Sequence, residues 1–146
     1  MFLSEYRHSL DSKDRLTIPA RYRELLGEEA YLVRGFDHNL MVLTDKTFEV
    51  IANRLQAMSI TDPLARSLRR LILGSATRVD IDKAGRILLP DILREKADLG
   101  SEVVLVGQGN YFELWSPEEW AKQEQALDDD EANTQRFKVL DLSTGS

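Results

Sequence analysis

The chain has 146 residues, 42% of them hydrophobic and 30% charged. That is enough apolar material for one compact domain or two intimately packed halves, and it argues against wholesale disorder. There is no cysteine, which excludes disulfides, thiolate metal sites and cysteine nucleophiles. The net charge of −6 argues, as a sum, against a nucleic-acid partner. Residues 117–132, however, hold seven acids and one base and carry the whole excess, leaving the rest of the chain neutral.

The opening Met1-Phe2-Leu3-Ser4-Glu5-Tyr6 lacks the basic and apolar regions of a secretory signal. No apolar run nears the ~18 residues of a membrane span, so a cytoplasmic protein without a membrane partner is expected. Residues 5–10 and 16–18 read as short strands around a turn at 11–14, where Asp, Ser and Lys tolerate unusual backbone angles. Pro19 suits the first position of a helix, where no N–H is needed. Tyr22, Leu25 and Leu26 share the buried face of that helix, and Gly27 stops it. A second, strongly apolar strand pair, 31–33 and 40–43, flanks the loop Gly35-Phe36-Asp37-His38-Asn39. Asp45 is placed to cap a longer helix with Phe48, Ile51, Leu55 and Met58 on one side. Thr61 or Asp62 then caps a further helix that Pro63 opens and Gly74 closes, with Leu64, Leu68, Leu71 and Ile72 as its apolar stripe. Arg66, Arg69 and Arg70 lie off that stripe; a solvated face, DNA and a neighbouring subunit are all open for them.

From residue 77 the pattern starts again. A shift of 71 residues lays Asp11 on Asp82, Arg15 on Arg86, Pro19 on Pro90, Arg23 on Arg94 and Glu24 on Glu95. The shared string is apolar-Asp-x-x-x-Arg-apolar-x-apolar-Pro-x-x-x-Arg-Glu. Residues 77–81 and 86–89 repeat the strands around a turn at 82–85, and Pro90 opens a helix with Leu93 and Ala97 inward and Gly100 beyond it. Residues 103–106 and 111–115 repeat the apolar pair, and Ser116-Pro117-Glu118-Glu119 caps a last helix anchored by Trp120. Each copy reads β-β-α-β-β-α. Neither copy can close a barrel alone, but interleaved copies can satisfy each other's edges.

The duplicated turns are the chemically informative feature. An Asp side chain can accept N–H bonds from residues just ahead of it and so fix its own turn. Asp11 and Asp82 are read in that role, with Gly85 supplying conformational freedom. A turn so fixed presents Arg15 or Arg86, whose rigid donor fork suits phosphate or the guanine edge. Lys13, Lys83 and Arg7 would add phosphate contacts, which position without specifying sequence. The plainer alternative is a pair of turn-closing salt bridges, each contributing ~0–1 kcal/mol if exposed.

The stretch from Glu5 to Arg23, with Asp11, Arg15 and Pro19, closely resembles the opening of the MraZ family. Asp80-Ile81-Asp82-Lys83-Ala84-Gly85-Arg86-Ile87-Leu88-Leu89-Pro90, preceded by Leu73-Gly74-Ser75-Ala76, is similar to that family's second motif. The resemblance spans about residues 1 to 120. It implies an α+β, β-rich fold: a pseudo-two-fold swapped-hairpin β-barrel of two AbrB-like units, at 5–47 and 76–119. Linking helices would fill 48–75, and 120–146 would form an acidic C-terminal helix and tail. The resemblance further implies a bacterial transcriptional regulator of the division and cell-wall gene cluster. Such a protein would bind double-stranded DNA at direct repeats upstream of its own gene, as a homo-oligomeric ring, in the cytoplasm and on the nucleoid. The chain departs from the family pattern at Asp14, where glycine is usual, and at Ser4.

No catalytic residue, metal ligand, cofactor or small-molecule substrate is expected. His8 and His38 form no metal-spaced pair, and no phosphate-binding or nucleophile motif is present. A ring that binds proteins and not DNA is the alternative function. The acidic run Asp128-Asp129-Asp130-Glu131 is read as a solvated linker or a docking site for a basic partner. Phe137-Lys138-Val139-Leu140 beyond it is read as packing on the core or on a neighbouring subunit.

Overall fold

The structure, a computed structural model, describes residues 1–145. Ser146, the end of the expected 120–146 tail, lies outside the described residues. The first half contains β1 (Glu5–Ser9), β2 (Arg15–Thr17), α1 (Ala20–Leu26), β3 (Glu29–Arg34), β4 (Leu40–Leu43) and α2 (Asp45–Gln56). Helix α3 (Pro63–Ile72) follows. The second half contains β5 (Thr77–Asp80), β6 (Arg86–Leu88), α4 (Asp91–Lys96), β7 (Glu102–Gly107), β8 (Tyr111–Trp115) and α5 (Pro117–Leu127). The chain then runs through α6 (Asp130–Phe137) into a 3-10 turn, Lys138–Leu140.

Six strands form one antiparallel sheet in the order β1-β7-β8-β4-β3-β5, and β2 with β6 forms a two-stranded ribbon. Exchanging β1–β4 for β5–β8 reads the sheet order backwards, so the sheet carries the pseudo-two-fold of the duplication. The hairpins β3–β4 and β7–β8 are local. The strands on either side of each Asp turn are not hairpin partners. β1 pairs with β7, β5 with β3, and β2 with β6, whereas β1 and β2 share only the bridge Leu10–Leu16. A hairpin with a three-residue arm would be marginal on its own, and pairing between the halves covers the edges that each would otherwise expose.

Strand alternation divides the apolar residues between two sheet faces. Leu32, Leu40, Val42, Val103, Leu105, Phe112 and Leu114 meet Leu16 and Ile87 of the ribbon in the main core, together with Tyr22 and Leu93 of the short helices. On the opposite face, Val33, Met41 and Leu43 pack under Leu55 of α2 and Ile72 of α3, and Val104 and Trp115 under Trp120 of α5.

Leu25 is 44% exposed, because seven-residue α1 buries only Tyr22 and Leu26. Thr44, not Asp45, caps α2, accepting from the Thr47 N–H; Asp45 is a first-turn acid. Met58 lies beyond the end of α2 and is exposed. Asp62 caps α3, whose buried residues are Ala65 and Ile72, while Leu64 is 79% exposed. Gly27 takes a positive φ of 76° after α1, but the corresponding role after α4 falls to Asp98, at φ 51°, and not to Gly100. Helix α6 buries no residue, so residues 137–140 do not join the core.

Candidate nucleic-acid interface

Each Asp-x-x-x-Arg segment folds into the same hydrogen-bonded loop. Asp11 Oδ1 accepts from the backbone N–H of Lys13 at 2.9 Å and of Arg15 at 3.0 Å. Asp82 Oδ1 accepts from Ala84 at 3.0 Å and Arg86 at 2.9 Å. The Asp14 N–H donates to the Asp11 carbonyl, and the Gly85 N–H to the Asp82 carbonyl. Each loop then turns through a left-handed residue, Asp14 at φ 59° and Gly85 at φ 79°.

The second carboxylate oxygen holds the arginine. Arg15 Nε donates to Asp11 Oδ2 at 2.7 Å, and Arg86 Nε to Asp82 Oδ2 at 3.0 Å. The Arg15 backbone N–H, more than the guanidinium itself, pulls the Asp11 carboxyl down to a pKa of about 2. The Arg86 backbone N–H lowers that of Asp82 in the same way. Both carboxylates are therefore charged at any physiological pH.

The ribbon brings the two loops together. Thr17 lies opposite Arg86 and Arg15 opposite Leu88. The Ile18 N–H donates to the Gly85 carbonyl, and the Leu89 N–H to the Asp14 carbonyl, one bond from each half. Arg86 also reaches across, its terminal nitrogen 3.4 Å from Asp11 Oδ2. The side chains of Arg15 and Arg86 keep 31% and 30% of their surface exposed. Among the described residues, neither terminal nitrogen of Arg15 has a protein hydrogen-bond partner, and one of Arg86 is free. Lys13 and Lys83 are exposed on the loops. Arg7 stands apart from them on β1, within 4 Å of three carboxylates: Glu5 at 3.9 Å, Glu102 at 3.6 Å and Glu124 at 3.5 Å.

Two further arginines, identical positions of the 71-residue repeat, belong to this region. Arg23 lies so close over the second loop that a Cβ on Gly85 would collide with its guanidinium. Arg94 occupies the equivalent place over the first loop, 3.2 Å from the Asp14 carboxylate, and also bonds Asp91. Each helix thus backs the other unit's loop with an arginine. The signal was present in the shared Arg-Glu four residues after each proline, but no sequence pattern places those arginines across the pseudo-two-fold.

The chain is thus a duplicated α+β protein whose two units bring a pair of carboxylate-anchored arginines together. A family profile described as "MraZ protein, putative antitoxin-like" matches residues 1–71 and again 72–140. The chain is 43% identical over 127 residues to "Transcriptional regulator MraZ" of Thermomicrobium roseum, covering 87% of this chain and 89% of the relative. It is 46% identical over 120 residues to the protein of that name from Carboxydothermus hydrogenoformans, covering 82% and 84%. The Dictyoglomus thermophilum relative of that name is 42% identical over 145 residues, covering 97% and 98%. The chain belongs to the MraZ family of transcriptional regulators. Among the described residues, no helix is long and apolar enough to cross a membrane.

Proposed function

We propose that the chain regulates transcription by binding duplex DNA through the paired loops. In this reading the protein is a cytoplasmic, nucleoid-associated ring that recognises direct repeats upstream of its own gene. Residues 5–47 and 76–119 would be the two DNA-facing units of an AbrB-like swapped-hairpin barrel. The observation that carries the reading is the manner in which Arg15 and Arg86 are held. Each is anchored through Nε, so its direction is fixed in advance, while terminal N–H donors remain available to a phosphate or a guanine edge. Such pre-ordering lowers the entropic cost of binding.

Lys13 and Lys83 extend the same face as phosphate contacts. Arg7, surrounded by carboxylates, contributes to the wider field and not to a direct contact. One chain offers few cations, so useful affinity at physiological salt requires several chains on repeated boxes, where linkage can raise affinity by ~100-fold or more. The test is a titration of labelled upstream DNA, against a scrambled duplex, over a salt series. Preferential binding whose log affinity falls by about 0.9 per neutralised phosphate per unit of log salt is expected. Equal affinity for both duplexes, or no salt response, would overturn the reading.

A further inference from the structure

One half of the molecule carries a surface that the other half does not repeat. Between α3, α4 and the edge strand β5 lies a cavity of about 570 Å³. Arg34, Arg70 and Lys96 line it beside an apolar floor of Pro90, Ile92 and Leu93. Among the described residues, none of those three cationic side chains has an ion-pair partner; the one acid in the lining, Asp91, is bonded to Arg94. Ile92 is 69% exposed and nearby Leu88 56%. The first unit has Arg21 and Thr17 at the corresponding positions, so the exposed apolar pair is not a requirement of the fold.

The complementary chemistry lies at the far side of the sheet. Residues 128–142 hold five acids and two bases. Within that stretch Val139 is 80% exposed, Leu140 71% and Leu142 94%. Helix α6 is fastened to the end of α5 through Asn133 and Arg136, which donate to the Leu127 and Ala126 carbonyls. Helix α5 packs over β7, and four strand steps separate β7 from β5, about 19 Å at the usual strand spacing. No tail residue lines the cavity.

We propose that this cavity takes the C-terminal segment of a second copy of the chain. Val139, Leu140 and Leu142 of the incoming copy cover Ile92 and its apolar floor. The acids of residues 128–131 and Asp141 face Arg34, Arg70 and Lys96. Socket and plug sit on opposite edges, so the contact is head-to-tail; it closes into a ring if the rotation per step allows and otherwise runs on as a filament. This rests on the ring reading above and supplies its interface.

Sedimentation velocity on full-length protein tests it with two variants. Arg70→Glu/Lys96→Glu spoils the socket and Leu140→Lys/Leu142→Lys spoils the plug; all four side chains are exposed, and circular dichroism checks that the fold is unchanged. Wild type is expected to assemble, and each variant alone to remain monomeric, its association weakened by roughly 100-fold or more. An equimolar mixture retains one good plug and one good socket per pair and is expected to give a heterodimer and nothing larger. Assembly of both variants like wild type would overturn this interface and leave the ring standing, and so would a mixture that forms no heterodimer. A socket variant that stays assembled but loses DNA would reassign the cavity to nucleic acid. A monomeric wild type would instead remove the ring itself.

Discussion

Arg94 of the second unit lies 3.2 Å from the carboxylate of Asp14 in the first unit's loop. The negative charge that Asp14 adds near the proposed DNA face is thus met by a cation from across the pseudo-two-fold. Asp14→Gly removes that exposed pair, worth ~0–1 kcal/mol, and adds chain entropy to the unfolded state, but relieves a non-glycine residue at φ 59°. Stability measured by urea unfolding should change by less than about 1 kcal/mol, since these terms oppose each other. Affinity for the upstream DNA should equal or exceed that of wild type, because the loop loses a negative charge near the proposed DNA face, while Arg94 keeps its bond to Asp91. Weaker binding would mean that Asp14 itself contacts the operator.

The second loop should respond differently. Gly85 has φ 79°, and an added Cβ would meet Arg23. The first loop shows that an arginine in this place can yield to a Cβ, so the backbone angle dominates. Gly85→Ala should lose roughly 1–2 kcal/mol. An unchanged urea midpoint would show that this loop has slack the hydrogen bonds do not suggest.

Acid should loosen the loops before it loosens the core. The Asp11 carboxyl is held at about 2 in the folded chain, against 3.8 without its partners. A carboxyl depressed on folding adds stability above its unfolded value and loses it as pH falls toward the folded one. The stability advantage of wild type over Asp11→Asn should therefore be complete above about pH 4, shrink as pH falls, and disappear near pH 2. Asp82 shifts in the same direction. An advantage that does not vary between pH 6 and pH 2 would show that the carboxylate charge is irrelevant to the loop.

Glu113 is a buried carboxylate that accepts from Asn39 Nδ2 at 3.1 Å and from Trp115 Nε1 at 3.0 Å. Glu113→Ala leaves both of these buried donors unpaired, frees Gln108 Nε2, which also donates to Glu113 at 3.3 Å, and should cost roughly 2–4 kcal/mol. Thermal unfolding followed by tryptophan fluorescence would read it; a loss below about 1 kcal/mol would mean water replaces the carboxylate.

Much of this was legible from residue order. The Asp11 and Asp82 turns, the prolines opening α1 and α4, and the apolar runs of β3, β4, β7 and β8 follow from local chemistry. That β1 chooses β7 and not β2 is different, since strand partners depend on which edges the other half leaves open. Leu25 and Leu64 fit a helical stripe, yet short helices bury too little of their circumference to include them. Arg23 and Arg94 stood in the repeat, but their placement over the opposite loops requires the three-dimensional pseudo-symmetry.

The proposed grip of Arg15 and Arg86 on duplex DNA is tested most directly by the affinity of Arg15→Ala/Arg86→Ala for the upstream repeats. Circular dichroism and sedimentation must first show it folded and assembled as wild type. At ~1–3 kcal/mol for each good bidentate contact, the double variant should bind at least about 100-fold more weakly. A folded, assembled double variant with wild-type affinity would contradict that grip.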